Sequence, residues 1–309
     1  MLLVGEIAVF AARSPAFLSA GNISNLLAFT PELGMITLGM TLLMIAGEFD
    51  LSVGSVFGFA PIVMWTFYNT HTASLEAGFI IAMALAMVVG FANGWLVTLL
   101  KIPSFLVTLG MLLVVRGTAL YITDGFPQRT WTTASTPLMK VIVGEFSVGA
   151  VRIYASLLWF ILFAVILGYV LTQSKAGNWI QASGGNPDAA RARGVRVTRT
   201  KIWLFILTAL IAAYSGITSS IRVSAANPNS GTGYELEVIA MVVIGGTALS
   251  GGRGTIIGTV IGVLILRIMR NGIVLIGVPG LAYNIFIGAI ILGMMALHSW
   301  LERRHRAGT

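Results

Sequence analysis

Long apolar runs separated by short polar connectors make up nearly the whole chain. The runs fall at roughly 31–47, 51–70, 77–100, 103–122, 152–172, 201–222, 235–250, 255–277 and 279–299. A helix crossing a hydrocarbon core of about 30 Å needs about 20 residues, and most of the runs meet that length. Those at 31–47 and 235–250 are shorter and glycine-rich. Residues 2–12 are apolar but too few to span, and read as a truncated first membrane helix. The pattern predicts an all-α polytopic membrane protein of about ten transmembrane helices, with one membrane domain over 1–309.

Composition agrees with the pattern. Hydrophobic residues make up 57% of the chain, charged residues 10%, and the mean hydropathy is +0.91. That is too little charge to cover a soluble protein of 309 residues. The 36 glycines suit closely packed membrane helices. With no cysteine and only His71, His298 and His305, neither a metal site nor a thiol nucleophile is expected, and no cofactor is implied. The net charge of +8 sits in the connectors and points to no nucleic acid.

The most polar connector runs from Gln173 to Thr200 and carries Lys175, Arg191, Arg193, Arg196 and Arg199 against the single acid Asp188. Short basic loops stay on the cytoplasmic side. Alternation then places Lys101, Lys201, Arg253, Arg303, Arg304 and Arg306 inside as well. Arg13, Arg129, Lys140, Arg152 and Arg222 fall outside. The outer segment at about 123–151 reads as structured surface.

Within the basic connector, Gly184-Gly185-Asn186-Pro187 reads as a turn that opens a short helix. Asn186 is placed to cap it, Pro187 to occupy its first turn and Asp188 to favour its positive end. Ala189 and Ala190 would offer a flat surface able to enter a cleft, with Arg191 beside them, and Gly194 would end or bend the helix. Such an exposed helix is what a soluble motor would grip. The bland alternative is a basic loop whose arginines meet anionic lipid headgroups.

Charged and polar groups inside the runs are candidates for a pathway: Glu48, Asp50, Ser52, Asn93, Arg116 and Asn271. A charged side chain at membrane depth costs about 2.5–3.5 kcal/mol on insertion scales, so each needs a reason. Asp50 is placed to cap the helix that follows it. Glu48 reads either as pathway-lining or as the partner of a basic residue. Arg116 is a candidate for a pathway or an ion pair, whereas Arg267 and Arg270 are placed to snorkel to the outer interface. Asn93 and Asn271 suit hydrogen bonds between helices.

Two stretches echo each other. Ile45-Ala46-Gly47 with Leu51-Ser52-Val53-Gly54 resembles Ile244-Gly245-Gly246 with Leu249-Ser250-Gly251-Gly252. Asn93-Gly94 likewise resembles Asn271-Gly272. A real match would suggest an inverted repeat with interrupted helices. Catalysis finds no support: no G-x-x-x-x-G-K-[ST] phosphate loop and no H-E-x-x-H motif occurs.

Three ordered motifs carry a family resemblance. Gly47-Glu48-Phe49-Asp50-Leu51-Ser52-Val53-Gly54-Ser55 is the first. The second is Gly184-Gly185-Asn186-Pro187-Asp188-Ala189-Ala190 with Gly194-Val195. The third joins Tyr234-Glu235-Leu236, Val243-Ile244-Gly245-Gly246-Thr247 and Gly251-Gly252-Arg253-Gly254-Thr255 to Asn271-Gly272. Together they resemble the ribose-type sugar permeases of ATP-binding cassette importers. The chain departs from that pattern in its shorter N-terminus and in Glu48, where a small residue is more usual.

The resemblance implies a multi-pass permease of a bacterial inner membrane that moves a monosaccharide or related small polar solute. It implies a cytoplasmic ATPase, an extracytoplasmic substrate-binding protein and a second permease copy or close relative as partners, besides membrane lipid. The 184–194 residues would couple to the ATPase. An ion-coupled secondary transporter using Glu48, Asp50 or Arg116 is the alternative.

Overall fold

Helices account for nearly all regular structure in the computed structural model, which describes residues 2–130 and 136–279 and scattered residues from 282 to 293. In chain order they are α1 (Leu2–Arg13), α2 (Ala20–Ile45), α3 (Val53–Asn69), α4 (Leu75–Leu99), α5 (Ser104–Ile122) and α6 (Pro137–Val143). There follow α7 (Ala155–Gln173), α8 (Lys175–Gly185), α9 (Pro187–Ala192), α10 (Val197–Val223), α11 (Tyr234–Ile244) and α12 (Ile256–Leu275). Six of them, α2, α4, α5, α7, α10 and α12, are long and apolar enough to cross a membrane. More than half of the expected run at 279–299 lies outside the described residues, as does the basic tail.

Burial sorts the six into layers. The apolar windows of α2 and α10 are 83% and 78% buried, against 28%, 22% and 22% for α4, α5 and α7. The first two therefore form the centre, and the other three turn residues such as Ile80, Leu113, Val114 and Val165 outward as a lipid-facing surface. Close approach at glycine sets the packing. Gly90 and Gly94 of α4 lie on the backbone of Ile206 and Ile202, and Gly39 of α2 lies on Thr208 of α10.

The same contacts set direction. Thr41 pairs with Thr259 at 2.7 Å near one end of α2, and Asn22 pairs with Asn271 at the other, so α2 and α12 run antiparallel. Ser215 of α10 donates to the Glu32 carbonyl of α2, which makes that pair antiparallel too. Residues 45–52, 99–104, 174–201 and 245–255 consequently share one end, and every described residue expected to be cytoplasmic is found there.

Three differences from the sequence reading have physical causes. First, α2 begins at Ala20, not near 31: Ser19 caps it through the Asn22 N–H at 3.3 Å, and the polar first turn is paired with α12. Second, the protein is not purely helical. The outer segment folds into α6 and a hairpin of β2 (Glu145–Val148) and β3 (Val151–Tyr154), while β1 (Gln128–Arg129) pairs with β4 (Ala225–Ala226). Third, the two echoes are placed differently. The Gly252 N–H donates to the Ile45 carbonyl at 2.7 Å, so these two stretches meet at the same end, whereas Asn93 and Asn271 lie near opposite ends.

One interruption falls inside the first echo and another outside both. Residues 46–52 join α2 to α3 without helix, and residues 224–233 join α10 to α11. The second break touches the first turn of α3: a Cβ on Gly231 would lie 3.1 Å from the Gly54 carbonyl carbon.

Candidate functional site

At the end of the bundle that gathers residues 174–201, α9 is built as its sequence suggests. The Asn186 side-chain oxygen accepts the Ala189 N–H at 3.0 Å, and Pro187 occupies the first turn. Closure is by a Schellman motif, with Val195 N–H on the Ala190 carbonyl at 3.0 Å and Gly194 N–H on the Arg191 carbonyl at 2.9 Å. Gly194 takes φ +84°, a left-handed geometry that favours glycine. The presented surface differs from expectation at one residue. Ala190 is buried at 5% exposure, so the outward face is Asp188, Ala189, Arg191 and Ala192. Asp188 and Arg191 form an exposed ion pair at 2.6 Å.

Beneath α9 three backbones converge. The polar stretch before it is helical, as α8, and is capped by Ser174 through the Gly177 N–H at 3.2 Å. Its last residues, Gly184 and Gly185, press on the end of α2 and on the loop after α11. A Cβ at Gly184 would collide with the Ile45 carbonyl oxygen. One at Gly251 would lie 3.0 Å from the Gly47 Cα, and one at Gly252 would lie 2.9 Å from the Gly185 Cα. Side chains are excluded at this junction, so α8 is seated directly on the end of α2 and on the 245–255 turn between α11 and α12.

A cleft of about 380 Å³ beside α9 is lined by Glu48, Lys101, Arg191, Thr198 and Lys201, among others. Glu48 pairs with Lys201 at 2.5 Å, which decides its open reading in favour of a basic partner. The structure thereby brings Glu48 together with Arg191, one of the residues expected to couple. Asp50, Ser52 and Asn93 form a separate, fully buried cluster deeper in the bundle. One Asp50 oxygen accepts the Ser52 N–H at 2.8 Å and its hydroxyl at 2.6 Å, and Asn93 donates to the Ser52 Oγ at 3.0 Å. Asp50 thus closes a turn two residues long before α3, rather than capping the helix itself.

The remaining candidates lie apart from these. Arg116 of α5 donates to the carbonyls of Pro228, of Ser230 at 2.7 Å and of Gly54 at 3.0 Å. It ties the first turn of α3 to the 224–233 break. Asn271 exchanges side-chain hydrogen bonds with Asn22 at 2.7 and 2.9 Å, a link between helices as expected.

Sequence reasoning passed over the buried charges of the outer half. Glu32 pairs with Arg222 at 2.7 Å. Glu237 lies 3.8 Å from Arg267 and 3.5 Å from Arg270, and accepts the Tyr283 hydroxyl at 2.9 Å. Arg267 is therefore no snorkelling residue: it is 7% exposed and donates to the Phe29 carbonyl at 2.6 Å. The membrane-depth cost that drew attention to Glu48 and Asp50 applies equally to Glu32 and Glu237, and would have found them.

Comparison with known proteins agrees on one kind of protein. A family described as branched-chain amino acid transport system / permease component matches residues 22–295. The ribose import permease of Escherichia coli strain K12 is 36% identical over 94% of this chain and 89% of its own. The ribose import permease of Bacillus subtilis strain 168 is 36% identical over 90% and 85%. A xylose/arabinose import permease of Sulfolobus acidocaldarius is 31% identical over 94% and 81%. No solved structure matches significantly.

Proposed function

The chain belongs to the permease-component family that matches residues 22–295, and from that premise we propose that it is the membrane subunit of an ATP-driven importer of a monosaccharide or related small polar solute. The relatives are named for ribose, xylose and arabinose, which favours sugar over amino acid as cargo. Counted with α1, α3, α11 and the apolar 279–299 stretch, the six long helices make about ten membrane elements. A second copy or close relative completes the pathway, and an extracytoplasmic binding protein delivers the solute.

One observation carries the coupling assignment: α9 presents a free face on top of the glycine junction. A cytoplasmic ATPase gripping Asp188, Ala189, Arg191 and Ala192 displaces α9 and α8 together, because Gly184 and Gly185 rest on other backbone. The displacement reaches the 46–52 break through Ile45 and the α11–α12 turn through Gly252. Access would switch without chemistry in this chain. Glu48, Asp50 and Arg116, the groups an ion-coupled carrier would use, all have internal partners.

Co-purification in mild detergent from native membranes, with mass spectrometry of what is retained, tests this reading. Wild type is expected to retain an ATPase, and Ala189→Arg to lose both it and ATP-dependent uptake at equal membrane abundance. Ala189 is the residue to change because Ala190 is buried. Uptake by the variant at the wild-type rate would overturn the assignment.

A further inference from the structure

We propose that the outer-half cleft between α2, α11 and α12 binds an anionic oxygen group, a carboxylate or phosphate. The cleft holds about 370 Å³ and is lined by Asn25, Thr30, Tyr234, Arg267, Arg270 and Asn271 together with apolar neighbours. Its charge is unbalanced. Glu32 is matched one to one by Arg222, but Glu237 is shared by Arg267 and Arg270 at the long separations of 3.8 and 3.5 Å. Glu237 already accepts the Tyr283 hydroxyl. No other described carboxylate lies within ion-pair distance of either arginine.

Donors are left over as well as charge. A guanidinium carries five N–H donors in a planar fork suited to carboxylate and phosphate. Arg267 places one nitrogen on the Phe29 carbonyl, while its buried Nε has no partner. Arg270 makes no hydrogen bond among the described residues. It lies over the Tyr283 ring at 4.8 Å with its side chain 45% exposed. Two neighbouring cations therefore line a largely apolar cleft with unused donors and one carboxylate between them. A neutral polyol would leave that charge unanswered, whereas a single anionic group would fill it.

Two sources supply this chemistry: a solute bearing an acidic group, and the headgroup of an outer-leaflet anionic lipid. The binding readout below needs no ATPase, so its failure is separate from failure of the coupling reading. That reading is needed only to call a bound solute the cargo.

The full chain is placed in phosphatidylcholine nanodiscs and titrated with D-glucuronate, inorganic phosphate and D-glucose. In parallel, chain purified from native membranes is examined by native mass spectrometry for retained lipid. Glucuronate or phosphate should bind while glucose does not, with affinity about tenfold lower in Arg270→Gln, the loss of a charge-assisted hydrogen bond. Arg270→Lys should keep the charge and most of the binding. Asn25→Asp, an exposed change on the opposite wall, should weaken binding by adding negative charge without touching the core. Retained phosphatidylglycerol that disappears in Arg270→Gln would instead identify lipid as the source. Absence of both anion binding and anionic-lipid retention in folded wild-type protein would overturn the proposal.

Discussion

The two ends of this bundle are held by opposite means. At the end that carries α9 backbone meets backbone: Gly184 and Gly185 rest on Ile45 and on Gly251 and Gly252, and no side chain intervenes. At the outer end, side chains do the holding, through Glu32 with Arg222 and Glu237 with Arg267, Arg270 and Tyr283. Glycine contacts have no rotamers to change, so they pass a displacement on as a rigid joint. Ion pairs that share a carboxylate can exchange partners, which suits a surface that meets a changing occupant. The first is stiff where the second can rearrange.

Breaking the outer end should cost the most. Arg222→Ala strands the buried Glu32 carboxylate, and loss of one partner of such a pair costs about 3–5 kcal/mol. Thermal unfolding in detergent should show a large drop, with the double change Glu32→Leu and Arg222→Leu recovering more than half. A double variant as unstable as the single would mean that the pair is not the cause.

Gly184→Val attacks the inner joint by forcing a side chain into backbone, an overpacking cost of about 1–3 kcal/mol. The same change at Gly5, which has open space around it, should leave the unfolding temperature unchanged. Equal effects at both sites would remove the distinction between a joint and a free glycine. Ala189→Arg should leave stability unaltered while abolishing ATPase retention, since the residue is exposed. Smallest of all is Asp188→Asn, which removes a solvent-exposed pair and should shift stability by under about 0.5 kcal/mol.

How much of this was legible in the chain depends on the range of the interaction. The apolar runs, the basic face and the Asn186–Gly194 helix with its cap and stop were readable, because each rests on residues within one turn or one span. Glu48 was recognisable as needing a partner, yet Lys201 stands 153 residues away and nothing local selects it. Ala190 was assigned to the wrong face, because a helix of six residues has too little periodicity to show which side packs. One echo has a packing reason of its own: Gly-rich strings occur wherever backbones must approach, and here Ile45 and Gly47 meet Gly252 and Gly251.

By itself the sequence determined that this is a multi-pass helical membrane protein with its basic residues gathered mainly at one end, since hydrophobic length and charge placement are local quantities that a bilayer reads directly. Its ordered motifs also carried the family. Only the tertiary structure decided that α8 is seated on α2 and the α11–α12 turn, that Arg116 ties α3 to the 224–233 break, and that Glu237 gathers Arg267, Arg270 and Tyr283. Those facts depend on which distant segments come within hydrogen-bond reach, and in a chain so uniformly apolar many pairings satisfy the same pattern. Close packing at glycine and the cost of leaving a buried charge unpaired select among them.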